Sequence, residues 1–191
     1  MLASGSGSNL QALLDHAPLD GAIVRVVTDV PGAGALERAH AVDIDGVCVD
    51  RRAYEDRPAW ETALAETVAE AEPDLVVLAG FMRILSGDFV RKWPMLNVHP
   101  SILPAFPGAN AVQQALDHGV KVTGVTVHFV SEEVDAGPIV GQEAVLVQPD
   151  DNVARLHERL QVVEHRLLPY SVRLFLEGRL DINGRHVRIV S

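Results

Sequence analysis

The sequence predicts an α/β protein with a doubly wound, mostly parallel sheet, extended by antiparallel strands and a C-terminal hairpin. Three observations carry that expectation. Short apolar runs alternate with helical patterns in a βαβα rhythm through the N-terminal half, which calls for parallel strands and right-handed crossovers. Leu75-Val76-Val77-Leu78-Ala79 is an uninterrupted apolar run of the kind that parallel sheets bury on both faces. Further on, Val125, Val127 and Phe129 alternate with Thr126 and His128, the period-two pattern of a half-buried strand.

In chain order, Met1-Leu2-Ala3 supplies only the tail of an apolar strand before Ser4-Gly5-Ser6-Gly7-Ser8-Asn9. Leu10, Leu13, Leu14 and Ala17 then recur at helical spacing, and Pro18 ends the pattern. A strand is expected over 23–27, a helix over 34–42, a short strand over 47–49 and a longer helix over 57–72, stopped by Pro73. The apolar run over 75–79 stops at Gly80, and Phe81 to Leu85 lead to a helix capped by Ser86. A strand over 96–99, a proline-rich loop and a helix over 111–118 follow. Strands over 120–130 and 139–147 read as an antiparallel pair joined by a long turn-rich segment rather than a tight turn. A long amphipathic helix spans 152–176, with a bend expected at Pro169. The tail over 180–190 carries Asn183-Gly184, a strong hairpin signal.

Composition bounds the function. At 191 residues and 48% hydrophobic, the chain suits one domain with its own core. A single cysteine, Cys48, permits no internal disulfide and suggests a reducing, cytoplasmic setting. No apolar run approaches the roughly 20 residues that cross a bilayer. The net charge of −10 argues against a nucleic-acid or anionic-membrane surface, so neither is expected as a partner. A small anionic substrate would need a local positive site, which points to helix N-termini and individual arginines.

Two stretches carry chemistry. In Leu96-Asn97-Val98-His99-Pro100-Ser101-Ile102-Leu103-Pro104, Asn97 and His99 lie two apart on a strand and so face the same side. An amide and an imidazole at one spot can stabilise an oxyanion and move a proton. Pro100, Pro104 and Pro107 stiffen the loop behind them. The same pair could also simply close a strand facing water. The second stretch is the Gly/Ser loop, whose backbone N–H groups, followed at once by a helix start, can wrap a phosphate. Ser8 or Asn9 can cap that helix, although a flexible linker has the same composition. The spacing is neither a P-loop nor a dinucleotide fingerprint.

The Gly/Ser loop with Leu10, Leu78-Ala79-Gly80-Phe81-Met82-Arg83-Ile84-Leu85, Asn97 to Pro104 and Asp135-Ala136-Gly137-Pro138 together resemble the folate-dependent glycinamide ribonucleotide formyltransferases. The likeness covers nearly the whole chain, in order and spacing. It implies one Rossmann-like formyltransferase domain over 1–191. The reaction it implies moves a formyl group from the co-substrate 10-formyltetrahydrofolate to the amine of 5-phosphoribosylglycinamide in de novo purine (IMP) biosynthesis, through a tetrahedral intermediate. On that likeness Asn97 and His99 hold the oxyanion and Asp135 is the third catalytic group. A carboxylate beside an imidazole favours its protonated form. Gly7, Ser8 and Asn9 match the segment that holds the 5′-phosphate, and Gln161 and Glu164 match residues at the ribose and glycinamide. Met82, Arg83, Ile84 and Leu85, together with Asn97, Val134 and Asp135, match the folate site. Arg57 matches an arginine near the benzoyl-glutamate end. His128 is expected to hydrogen-bond behind the reacting groups. No metal is expected, since the histidines show no ligand spacing. A homodimer is compatible with the sequence but not required by it.

The sequence departs from the family in three places. Most of the strand before the Gly/Ser loop is lacking, so several added apolar residues are expected to raise the melting temperature. The connection Lys92-Trp93-Pro94-Met95 is short, and Asn110 stands where the family commonly has histidine. Alternatives of the same chemistry are formyltetrahydrofolate hydrolase and methionyl-tRNA formyltransferase, which usually carry a further domain. A silent nucleotide-binding or NAD-binding module is the alternative from another class.

Overall fold

The computed structural model describes every residue except Asp20. The chain is organised as two units, Met1–Leu96 and Asn97–Ser191. In the first, β1 (Arg25–Thr28) runs parallel to β2 (Asp45–Cys48), with Arg25 opposite Asp45 and Thr28 opposite Cys48. The short N-terminal stretch does the work of a strand. Leu2 forms parallel bridges to Val27 and to Leu78 of β3 (Val76–Leu78). Its amide donates to the Val77 carbonyl at 2.8 Å, and Val27 donates to the Met1 carbonyl at 2.8 Å. The few residues ahead of the Gly/Ser loop thus pair on both sides, and Leu2 and Ala3 are buried.

The helices of this unit end sooner than their apolar spacing suggests. Helix α1 (Ser8–Leu14) stops before Ala17, because Pro18 brings no amide hydrogen and sits in a 3-10 turn, Ala17–Leu19. Helix α2 is Gly34–His40, and Asp43 turns the chain away with a φ of 58°. Helix α3 is Arg57–Ala69, started by the Asp56 side chain accepting from the Ala59 amide at 2.8 Å. Buried Trp60 anchors it through an indole N–H donated to the Val49 carbonyl at 2.8 Å. Glu72, with a φ of 45°, closes its far end before Pro73. Helix α4 (Gly87–Val90) is capped by Ser86 as expected, and residues 81–86 before it form neither helix nor strand.

Strand β4 (Met95–His99) carries the chain into the second unit. After helix α5 (Ala111–Asp117), β5 (Val122–Phe129) pairs antiparallel with β6 (Ile139–Leu146), and the register shifts between Val127 and His128. This is the long-looped antiparallel pair expected from the sequence, but β5 is not half-buried. Thr126 and His128 are as buried as Val125 and Val127, because both faces of the strand are covered and the polar side chains find partners there. Helix α6 (Val153–Leu176) lays Leu156, Leu160, Val163, Leu168 and Val172 into the core, and it continues past Pro169 to Leu176. Strands β7 (Leu180–Asn183) and β8 (His186–Ile189) form the C-terminal hairpin. Asn183 pairs with His186, so the turn residues are Gly184-Arg185 and not Asn183-Gly184. The α/β class, its parallel first half and its antiparallel extension are those read from the sequence. Among the described residues, no helix is long and apolar enough to cross a membrane.

Candidate active site

Within the second unit, the end of β4 presents Asn97 and His99, the end of β5 presents His128, and the turn before β6 presents Asp135. They meet. The Asp135 carboxylate has Oδ2 3.4 Å from His99 Nδ1 and Oδ1 3.5 Å from His128 Nε2. Asn97 Nδ2 donates to Asp135 Oδ1 at 3.4 Å and lies 3.2 Å from His128 Nε2. Both imidazoles are buried. His128 thus contacts the Asn97 amide and the Asp135 carboxylate, a position from which it can hydrogen-bond behind the reacting groups.

Backbone groups orient these side chains, and they are what sequence reasoning missed. The Gly108 amide donates to Asp135 Oδ2 at 2.7 Å. A carbonyl can only accept, so the 2.9 Å contact from His99 Nε2 to the Phe106 carbonyl puts a proton on that nitrogen. Likewise His128 Nδ1 donates to the Phe129 carbonyl at 2.8 Å. His99 therefore faces an acceptor at each ring nitrogen. The loop supplying these groups is pinned by buried Thr126, whose hydroxyl accepts from the Leu103 amide at 3.1 Å and donates to the Ser101 carbonyl at 2.7 Å. Gln142 Nε2 adds bonds to Thr126 Oγ1 at 2.9 Å and to the Leu103 carbonyl at 2.7 Å. The prolines of this loop were its only signal in the sequence.

Asp135 is an unusual residue in two respects. Its φ of 52° lies in the left-handed region, which aspartate tolerates better than most residues. Burial pushes its carboxyl up, but hydrogen bonds from His128 and the Gly108 amide, with positive charge at His99 and His128, outweigh burial and hold it below the usual carboxylate range. Two residues on, Gly137 explains the Asp-Ala-Gly-Pro motif sterically. A Cβ there would lie 1.8 Å from the Phe129 carbonyl oxygen. Glu164, on α6, is buried rather than set on a solvated face, and Gln161 one turn earlier is half-buried. Val134 is exposed beside Asp135. Asn110 precedes α5 with a φ of 60° and caps it with no side-chain bond.

Within the first unit, α2 backs the Gly/Ser loop. The Ala35 amide donates to the Gly5 carbonyl at 3.2 Å, and Arg38 donates from Nε to the Ser6 carbonyl at 2.9 Å. Gly7, not Ser8 or Asn9, occupies the cap of α1, with a φ of 74° and no side-chain bond. A side chain there would come 2.7 Å from the Ala35 Cα, so close packing of loop on helix selects glycine. The irregular segment Met82 to Leu85 is held from both ends. Arg83 Nε pairs with Asp29 Oδ2 at 2.5 Å, and Arg57 Nη2 donates to the Ile84 carbonyl at 2.8 Å. Arg57 Nε pairs with Glu61 at 2.8 Å, so this arginine is built into the segment's support. Among the described residues, no group of three or more His, Cys, Asp or Glu could hold a metal ion.

An α/β chain with an amide, two imidazoles and a carboxylate gathered beyond its strand ends is laid out as an enzyme for acyl-type transfer. The formyl transferase family model matches residues 1–172, and the chain belongs to that family. It is 37% identical to phosphoribosylglycinamide formyltransferase of Bacillus subtilis over 92% of this chain and 93% of that one. It is also 48% identical to the Bos taurus trifunctional purine biosynthetic protein adenosine-3, matching 97% of this chain but spanning only 19% of that relative. The crystal structure of glycinamide ribonucleotide transformylase 1 from Symbiobacterium toebii superposes with a TM-score of 0.94 at 49% identity, covering 100% of this chain and 92% of that one. Phosphoribosylglycinamide formyltransferase from Coxiella burnetii gives a TM-score of 0.90 at 35% identity, covering 98% and 90%. The resemblance read from the four motifs is borne out.

Proposed function

We propose that this chain transfers the formyl group of 10-formyltetrahydrofolate to the amine of 5-phosphoribosylglycinamide, a step of purine (IMP) biosynthesis, with residues 1–191 acting as one formyltransferase domain in the cytoplasm. The observation that carries this reading is the meeting of Asn97, His99 and Asp135 in a chain of this family. The neutral amine attacks the formyl carbon, a C–N bond forms, and the carbonyl oxygen becomes an oxyanion. Asn97 and His99 donate hydrogen bonds to that oxygen, where preorganised donors count for most. To do so through Nε2, His99 exchanges the Phe106 carbonyl for the oxyanion. Asp135 offsets the charge of the imidazolium and takes up the amine proton through water. Collapse of the intermediate breaks the bond to folate N10, which receives that proton from Asp135 through the same water and leaves as tetrahydrofolate, so no covalent enzyme intermediate is needed.

Binding roles follow the motifs. Gly7, Ser8 and Asn9 take the 5′-phosphate on backbone and side-chain donors. Gln161 and Glu164 take the ribose and glycinamide. Met82, Arg83, Ile84, Leu85 and Val134, with Asn97 and Asp135, take the folate, and Arg57 lies toward its benzoyl-glutamate end. The test is release of the folate product, followed by absorbance with and without phosphoribosylglycinamide. Turnover that depends on the amine supports transfer, and water-only turnover replaces it with hydrolysis. Asn97→Ala and His99→Ala each lower kcat by about 10²-fold or more. Near-wild-type turnover in both variants removes the mechanism.

A further inference from the structure

We propose that Asp29 is a positioning residue for the folate, acting through the Met82 to Leu85 segment; this rests on the reading above that the segment binds folate. Residues 81–86 have no helix or strand to define their backbone, so their shape is imposed by neighbours. Asp29, at the end of β1, uses one oxygen on each of two successive residues. Oδ1 accepts the Ser4 hydroxyl at 2.5 Å, and Ser4 Oγ in turn accepts the Met82 amide at 3.1 Å. Oδ2 accepts Arg83 Nε at 2.5 Å. The carboxylate is 1% exposed while its arginine partner is 46% exposed, so the acid is the fixed member of the pair.

Glu61 does the same at the other end of the segment. Its Oε1 accepts Arg57 Nε at 2.8 Å and the Ser86 amide at 3.2 Å. Held between two carboxylates, the segment leaves Met82 76% and Ile84 66% exposed instead of letting them fold onto the core. Apolar side chains kept open on a rigid backbone suit one face of a flat heteroaromatic ring. The donor count also favours an acid at position 29. Ser4 and Arg83 each bring a donor, and a carboxylate has an acceptor for both. An amide has one carbonyl oxygen, so its NH2 must face a donor unless the Ser4 hydroxyl reorients. Asparagine is therefore a partial substitute and alanine none.

The test uses the whole chain as wild type, Asp29→Asn, Asp29→Ala and Ser4→Ala, with calorimetric titration of folic acid, which has the pterin but no formyl group to transfer. The KM for each substrate is measured alongside. Asp29→Ala is expected to weaken folic acid binding and raise the KM for 10-formyltetrahydrofolate about tenfold, the worth of a lost charged hydrogen bond. Asp29→Asn falls between it and wild type, and the KM for phosphoribosylglycinamide stays within about twofold. Unchanged folic acid affinity in Asp29→Ala, or equal losses for both substrates, overturns the inference while leaving the folate reading in place. A wild type that takes up no folic acid overturns both. Should Asp29→Ala not fold, Ser4→Ala decides by the same criteria, since it cuts the link to Met82 and spares the ion pair.

Discussion

Replacing Asp135 by asparagine changes charge with almost no change in shape. The variant keeps an acceptor for the Gly108 amide, which lies 2.7 Å from Oδ2, so the turn is expected to hold. What it loses is the negative charge 3.4 Å from His99 Nδ1. At an effective dielectric of about 20, a unit charge pair at that separation is worth about 5 kcal/mol. That figure is a ceiling, because the carboxylate side chain is still 11% exposed and its hydration offsets part of the gain. A net loss of about 3–4 kcal/mol in the transition state corresponds to a fall in kcat of about 10²–10³-fold. The assay is steady-state release of the folate product at saturating concentrations of both substrates. A kcat within about threefold of wild type would refute the claim that this charge works on His99 during transfer. The same carboxylate leaves a signature in stability. Its folded pKa lies below the ordinary 3.8, so its contribution is full above that value and vanishes as pH falls through the folded value. Melting curves of wild type and Asp135→Asn should therefore differ near neutral pH and draw together in acid.

Two further substitutions probe the support. Gly137→Ala places a methyl against the Phe129 carbonyl, a backbone atom that cannot swing aside, and should cost about 1–3 kcal/mol in denaturant unfolding; an unchanged midpoint would contradict the close approach. Thr126→Val keeps side-chain volume but leaves the buried Leu103 amide without its acceptor, an expected loss of about 1–3 kcal/mol, checked by the same unfolding curve with kcat measured alongside. If kcat falls with stability unchanged, the hydroxyl acts on the loop's alignment rather than on the fold.

Much of this protein was legible in its residue pattern. The apolar run around Val76 to Leu78, the presence of a strand at β5 and the Ser86 cap are local signals, and local propensity decided them; that β5 is covered on both faces was not legible in its alternation. Element ends were legible less well: α1 halts at Leu14 and α2 at His40, where the apolar spacing runs on but the backbone turns. The pairing of Asn97 with His99 follows from strand period alone. The support around them did not, because it consists of carbonyls and amides that every sequence has. Nothing in the letters Phe106 or Gly108 says that one accepts from a histidine and the other donates to an aspartate. Asp29 and Glu61 read as ordinary acids until their burial and partners are known.

Sequence by itself determined the class of fold, the order of its elements and which side chains could do the chemistry, since these depend on periodicity, capping and the reactivity of residue types. Tertiary structure decided that Asp135, drawn from a turn far along the chain, reaches both histidines and the asparagine. It decided too that a loop stiffened by prolines holds them in place. Contacts between residues distant in sequence depend on how packed elements bring them together, and no local pattern encodes that meeting.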